Sequence, residues 1–500
     1  MEFNNIRELW EYQAKKYSNN VVLFCVDEDK KITYEEMYKQ IKKTANLLLE
    51  LGIKKGDKVA FITSNIPEFF YIFYGSLCIG AVTAPISYSS TKNEIEDLLD
   101  FCDAKILFVE KQFLDNVKNI KIKKIIIRND KNDFNDMIEK QPDELKEIDI
   151  KQNDDAYITF TSGTTGKPKG ILITHLNLLT KFTSGPKIIT LNPEDRWLCN
   201  QQLYYQDHTT YFGYPFGAGA SCVIPKRFSK SRFWDIVEKY KIKYTVLFPT
   251  MAQILLKDPE DISKRDISSV RCFFIGGSEV SVELIKKFEK TFNILLIQGY
   301  GLNEVISTVC VNPISKEKRK INSMGIPTQI NKFKVVDETG KELAPMKTGE
   351  LLVKGPGVMK EYYKESKLTK KTIIDGWLHT GDAVYFDKKG FLYFVGRIKN
   401  IIKRGGESIS PAEIDNVIHK HKSVHDSVTI GVPDEIYGEE IKSYIVLKKK
   451  IKIKEQDIIN HCRQYIGKTK VPRYIKFIEE IPITNTDKPD IKKLKKMHKN

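Results

Sequence analysis

The segment Thr159 to Gly170, T-F-T-S-G-T-T-G-K-P-K-G, constrains the fold more than any other stretch of this 500-residue chain. Apolar runs flank it, Ala156 to Phe160 before and Ile171 to Thr174 after, so it is predicted to be a tight turn projecting from a sheet. Glycine lets backbone N–H groups approach an anion closely. Thr161, Ser162, Thr164 and Thr165 can donate hydrogen bonds, and Lys167 and Lys169 supply positive charge. That combination suits phosphate. A Walker A loop requires G-x-x-x-x-G-K-[ST], but position 161 is Thr and Lys167 is followed by Pro168, which disfavours a P-loop NTPase. The plainer reading of such a string is a solvated turn without a ligand.

Up to about residue 395 helical and strand patterns alternate. Tyr34 to Leu51 has apolar positions at helical spacing, and Gly52 and K-K-G-D then lead into the strand Val59 to Ile62. The strands V-T-V-L-F-P and C-F-F-I-G-G follow later helical stretches, which predicts a parallel, helix-covered sheet. After Gly396 a smaller lysine-rich unit begins, with strands at Ser427 to Val432 and Lys442 to Leu447 and a helix near Asp457 to Tyr465. Phe69 to Thr91 is uncharged and long enough to span a bilayer. Gly75, Gly80 and Pro85 divide it instead into a buried helix, a turn and a short strand, so no integral membrane segment is expected.

With 41% apolar residues the chain can bury large cores in at least two domains. Its net charge of +16 is spread along the chain, apart from Lys448 to Lys454 and Lys492 to Lys499, and gives no nucleic-acid stripe. Such a surface suits anionic partners. The eight cysteines form no C-x-x-C pair and read as reduced core residues of a cytoplasmic protein. The N-terminus lacks the basic and apolar regions of a signal peptide. His419, His421 and His425 fit a surface helix and its exit better than a metal site.

Four further segments follow the first loop in order: G-Y-G-L-N-E at Gly299 to Glu304, G-W-L-H-T-G-D at Gly376 to Asp382, G-R-I-K-N-I-I-K-R-G-G-E at Gly396 to Glu407, and Lys488 near the C-terminus. Together with the first loop they resemble the motifs of the AMP-forming adenylating enzymes, the superfamily of acyl-CoA synthetases, nonribosomal peptide adenylation domains and firefly luciferase. The resemblance covers essentially the whole chain. It implies an α/β fold: a large N-terminal domain of helix-covered, mostly parallel sheets over residues 1–398, and a smaller mobile α+β C-terminal domain over 399–500 hinged at Lys399. It also implies two half-reactions. A carboxylate attacks the α-phosphate of ATP and releases pyrophosphate, and a thiol then attacks the acyl-adenylate and releases AMP. Rotation of a small domain would exchange the groups that each step needs.

By this resemblance Lys488 is the adenylation lysine, an ammonium between two approaching anions, and Glu304 holds Mg²⁺ against the triphosphate. Thr164 joins them as a catalytic residue. Asp487 stands where the family usually has Gly, and Asn303 where Thr is common. Thr161, Ser162, Gly163, Thr165, Gly166, Lys167 and Lys169 would bind phosphate. Gly276, Gly277 and Ser278 would approach the adenine and acyl group, with Tyr300, Gly301 and Asn303 beside the base. Asp382 would take the ribose hydroxyls, with Arg397 nearby. Gly405 and Gly406 would line a pantetheine passage. The implied cosubstrates are ATP, Mg²⁺ and coenzyme A, or the phosphopantetheine of an acyl or peptidyl carrier protein.

The acyl region departs from the family's P-L-F-H-like segment and reads Q-Q-L-Y-Y-Q-D-H at Gln201 to His208. Either Tyr204 or Tyr205 replaces the usual His. With Asp207 and His208 these tyrosines make a neighbourhood more polar than a fatty-acyl tunnel, which argues for a small or polar acid. Asp207 could receive a substrate ammonium, and several stretches resemble carnitine and crotonobetaine CoA ligases, notably N-I-I-K-R-G-G-E and the N-terminal R-E-L-W. Equally, Asp207 could cap the following helix. The expected activity is an ATP-dependent carboxylic acid:thiol ligase with coenzyme A as acceptor. The alternatives are a stand-alone enzyme that loads a carrier protein, a nucleotide-binding protein without catalysis, and a luciferase-type oxygenase.

Overall fold

The computed structural model describes residues 3–129, 133–161, 169–277, 280–405, 407–449, 451–484 and 489–499. Two large sheets carry most of the chain. In the first, Lys58–Ile62, Val82–Pro85, Ala104–Glu110, Lys124–Ile127 and Asp155–Thr161 run parallel, and Lys169–Thr174 and Glu361–Tyr362 add antiparallel strands at one edge. In the second, the parallel strands Val21–Cys25, Ser221–Ile224, Arg196–Leu198, Tyr244–Leu247, Cys272–Ile275 and Leu296–Leu302 lie side by side. Antiparallel strands flank them at both edges. Parallel strands need helical crossovers, so helices cover these sheets and the strands read as continuous apolar runs.

The uncharged Phe69 to Thr91 stretch forms the helix Pro67–Cys78, a turn and the strand Val82–Pro85, and every residue of that helix is buried. No helix among the described residues is long and apolar enough to cross a membrane. Phe69 and Phe73 stack on one face of it one turn apart, their rings 6.0 Å apart. Helix starts are fixed by local chemistry. Thr33 with Glu36, Thr91 with Glu94 and Thr174 with Asn177 each form reciprocal capping boxes, the last opening the helix His175–Ile189. That helix lies close on the short helix Gly213–Ala218. A methyl group on Gly217 would fall 1.8 Å from the Phe182 carbonyl oxygen, so only glycine permits the approach.

The parallel pattern ends earlier than the sequence suggests. Lys332–Val336, Gly349–Lys354, Trp377–Phe386, Leu392–Arg397 and Ile373–Ile374 form a third, wholly antiparallel sheet. Turns such as Asp337 to Lys341 and Asp387 to Phe391 close on themselves by backbone hydrogen bonds and are too short for a crossover helix. A fourth sheet comprises Ile402–Arg404, Glu407–Ile409, Val424–Asp434, Gly438–Leu447 and Tyr474–Phe477. The helices Pro411–Ile418 and Glu455–Tyr465 share a separate apolar core with it, built on Ile402, Ile414, Ile441, Ile445 and Ile458. This smaller C-terminal unit is mixed α and β, as expected.

All eight cysteines are free and buried, and burial pushes the Cys25, Cys78, Cys102 and Cys272 thiols up to about 12. Two histidines are also sealed in. His175 Nδ1 accepts the Ile6 N–H at 3.2 Å, and burial lowers this imidazole to about 4. His208 is lowered to about 3 by the same cause. Because both folded values lie below the ordinary 6.5, the unfolded chain binds more protons in the interval. Their contribution is therefore complete above pH 6.5 and is lost as pH falls toward 4 and then 3. Urea unfolding between pH 6.5 and 4 is expected to lose about 1.4 kcal/mol per pH unit for each histidine. His175→Asn removes one such increment from the slope, whatever it does to absolute stability.

Candidate active site

The antiparallel strands Leu296–Leu302 and Val305–Val311 meet at a turn that carries Asn303 and Glu304. Tyr300, on the first of them, donates its hydroxyl to Asp382 Oδ2. Asp382 is only 1% exposed and lies on Trp377–Phe386 directly opposite Arg397 in register. The Arg397 Nε is 2.9 Å from Asp382 Oδ1, and its Nη1 donates to the Thr380 carbonyl at 3.0 Å. Burial and the Asp382 anion hold the Tyr300 phenol well above its ordinary range, so it stays a neutral donor.

Glu304 is anchored from the other large sheet. Tyr362 donates its hydroxyl to Glu304 Oε1 at 2.8 Å, and Tyr362 pairs with Ile171 on the strand that leaves the glycine-rich loop. Lys169, at the start of that strand, lies 5.3 Å from the centre of the Tyr362 ring. The strands flanking the loop are placed as the sequence suggests, with Phe160 opposite Gly170 and Thr161 opposite Lys169. The predicted Ser162, Gly163, Thr164, Thr165, Gly166, Lys167, Ser278, Gly406 and Lys488 lie outside the described residues.

Cations converge beside this arrangement. Lys399 is exposed in a single-turn helix directly after Arg397, and its ammonium is lowered by partial desolvation and by Arg397, Lys169 and Lys492. Three positive groups thus act on Lys399, drawn from the loop strand, the third sheet and the last helix, Ile491–Lys499. Like charges held together are favourable only when an anion joins them.

Gly276 and Gly277 lie close against other parts of the chain. A methyl group on Gly276 would meet the Gly299 carbonyl oxygen at 2.8 Å. Gly277 has φ +82° and lies against the Phe248 ring. Gly301 and Asn303 are exposed, and the Asn303 carbonyl accepts Gln206 Nε2 at 3.1 Å, which joins the nucleotide motif to the acyl region. Gly405 has φ +56° and donates its N–H to Tyr437 at 2.9 Å, a turn within the C-terminal unit.

In the acyl region the Tyr204 and Tyr205 rings lie 4.5 Å apart, both half-buried. Asp207 stands at the start of the helix His208–Tyr211, but its side chain makes no capping bond, and its backbone is already helical. The cap reading is therefore corrected: only the Asp207 carbonyl serves the helix, accepting from Thr210 and Tyr211. His208 packs beneath this loop among Phe69, Phe73 and Tyr157, with ring centres 5.1, 4.8 and 5.6 Å away, and its Nδ1 is 2.9 Å from the Tyr205 carbonyl. It supports the tyrosines from the core.

Tyr362, Lys492 and Lys181 carry no motif that would have drawn attention to them. Tyr362 sits in an ordinary K-E-Y-Y string, Lys492 in a lysine-rich tail, and Lys181 on a helix of mixed composition. Among the described residues no group of three or more His, Cys, Asp or Glu side chains could hold a metal. A Mg²⁺ ion bound mainly by substrate phosphates needs only one or two carboxylates, and Glu304 fits that need.

The family model of the AMP-binding enzymes matches residues 10–363, and that of the AMP-binding enzyme C-terminal domain matches 413–488. The chain belongs to the AMP-binding enzyme family. This AMP-binding enzyme is 32% identical to a crotonobetaine/carnitine–CoA ligase of Escherichia coli O9:H4 (strain HS) and 31% identical to that of Citrobacter koseri, with 96% of each chain covered. Its fold superimposes on the anthranilate CoA ligase AuaEII in complex with anthranoyl-AMP with a TM-score of 0.90 at 26% identity, covering 99% of this chain and 97% of that one. It superimposes on the Bacillus subtilis o-succinylbenzoate CoA synthetase with its acyl-adenylate at 0.86 and 25%, covering 100% and 99%. The AMP-binding enzyme described here is accordingly an AMP-forming acid:thiol ligase of the acyl-CoA synthetase kind.

Tyr362→Phe keeps the ring against Lys169 and removes only the hydroxyl held by Glu304. A loss of about 1.5–3 kcal/mol for a bond to a charged group corresponds to about a tenfold or larger weakening. The apparent Mg²⁺ requirement of ATP-dependent pyrophosphate release should rise by that factor, with the circular dichroism unchanged.

Proposed function

We propose that the protein activates a small or polar carboxylic acid with ATP, releases pyrophosphate, and transfers the acyl group from AMP to the thiol of coenzyme A. The observation that carries this reading is the convergence of Tyr300 and Arg397 on the buried Asp382, with Arg397, Lys169 and Lys492 all acting on Lys399. A sugar diol suits the Asp382 oxygens, the Tyr300 ring offers a face to the base, and the cations suit a triphosphate. Thr161 to Lys169, including Thr164, would cradle the phosphates, and Glu304 would hold Mg²⁺, which supplies charge neutralisation when bound.

Lys488 would place its ammonium between carboxylate and α-phosphate in the first step. Lys399 would be the hinge between an N-terminal domain of residues 1–398 and a C-terminal domain of 399–500. Turning there would withdraw Lys488 and bring Gly405 and Gly406 to the thiol path. Coenzyme A is favoured as acceptor because the curated relatives over the full chain are named CoA ligases. A carrier protein bearing phosphopantetheine is the second reading, and it would use the same machinery. A cytoplasmic setting fits the buried free thiols.

The test is pyrophosphate release from ATP across fatty, aromatic, amino, dicarboxylic and quaternary-ammonium acids, carnitine and crotonobetaine included, with and without coenzyme A. Multiple turnovers only with coenzyme A are expected. Release confined to one turnover until a carrier protein is added would replace the acceptor. In the same assay, Lys488→Ala should lose adenylate formation by about 100-fold or more, the scale of a preorganised transition-state contact. It should still convert synthetic acyl-adenylate to thioester. Equal loss of both half-reactions would remove Lys488 from the assigned role.

A further inference from the structure

Lys181 lies midway along the helix His175–Ile189 and is 4% exposed. Its neighbours on the helix include Leu178, Leu179 and Phe182, all buried. Among the described residues its ammonium makes no hydrogen bond and no ion pair, although every other lysine amine that is this thoroughly enclosed would be expected to have one. The helix packs against His208–Tyr211, and the groups that act on Lys181 come from there: the exposed Asp207 carboxylate, in electrostatic reach, and His208, which burial keeps neutral. Lys181 therefore lies beneath the predicted acyl loop; burial lowers its amine to about 7 against the pull of Asp207, so a carboxylate arriving beside it would hold it in the charged form.

A buried ammonium without a bonded partner costs stability, and such a cost persists where a ligand completes the pairing. Resting on the ligase reading of this site, we propose that Lys181 is a specificity-determining residue that receives the distal anionic group of the acid, so that the preferred substrates are dicarboxylic rather than cationic. Asp207 does not contradict this. Its side chain is exposed, where water screens it, whereas Lys181 is buried, where a pairing is worth more. One carboxylate of the acid would face ATP, and the other would turn toward Lys181.

Three acids share the same –OOC–(CH₂)₃– body and differ only in the tail: glutarate (anionic), 5-oxohexanoate (neutral) and 4-(trimethylammonio)butyrate (cationic). Adenylation kcat/KM should favour glutarate, or the corresponding diacid one methylene shorter or longer, by at least about tenfold over its neutral counterpart. Lys181→Met should erase that preference, lowering the diacid by at least about tenfold and leaving the neutral acid within about threefold. A merely structural defect would lower both alike, and that result overturns the proposal. So does a wild-type preference for the cationic acid that Lys181→Met leaves unchanged. Because methionine removes an enclosed unpaired charge, the variant should melt no lower than the parent.

Calorimetric binding of glutarate to the full chain loaded with a non-hydrolysable ATP analogue reads the same pairing without turnover. Binding that weakens at least tenfold in Lys181→Met supports the subsite, and equal binding sinks it. Failure of every acid to release pyrophosphate would count against the ligase reading and leave this second comparison decisive for Lys181.

Discussion

A carboxylate that is 1% exposed cannot be left without partners, and the placement of Asp382 follows from that requirement. Tyr300 reaches it from the second large sheet, and Arg397 reaches it from the neighbouring strand of the third. The pairing locks two sheets of different topology to one another at the point where a nucleotide would lie. Arg397 is also the last residue before the short helix that leads to the C-terminal unit. The interaction that secures the site is thus the one from which the smaller unit hangs.

Glu304 illustrates a similar economy on the other side. Its turn belongs to the second sheet, but its orienting hydroxyl comes from Tyr362, whose strand is bonded to the edge of the first. Glu304 and the strand that begins at Lys169 are therefore held in mutual register by one edge strand of two residues. Displacement of either large sheet would be felt at both groups. Lys169 and Lys492, from separate segments, both act on Lys399, and a positive group so placed is favoured by an anion beside it.

Much of this architecture was legible in the chain itself. An apolar run of five residues ahead of the glycine-rich loop identified the strand around Thr159, because parallel strands buried on both faces carry no polar alternation. The antiparallel third sheet was not separable from them, since a strand's own sequence does not record the direction of its neighbour. The nucleotide motifs were readable because glycine and acidic residues recur there at fixed spacing. Tyr362, Lys492 and Lys181 were not, since each acts through a neighbour distant in sequence and looks locally like an ordinary surface or helix residue. The same holds for Asp207, whose position before a helix suggests a cap that its side chain does not make.

The burial of all eight thiols has a practical side. A chain with no accessible cysteine, and with thiols held largely protonated, is silent toward thiol-directed probes while it stays folded. One surface cysteine on each side of Lys399 would then be the only reactive pair, and spectroscopic labels attached there would report the separation of the two units without removal of any native cysteine. The same silence makes slow labelling of the native thiols a record of global opening, so motion about the proposed hinge and loss of the fold could be followed in one molecule by two distinct signals.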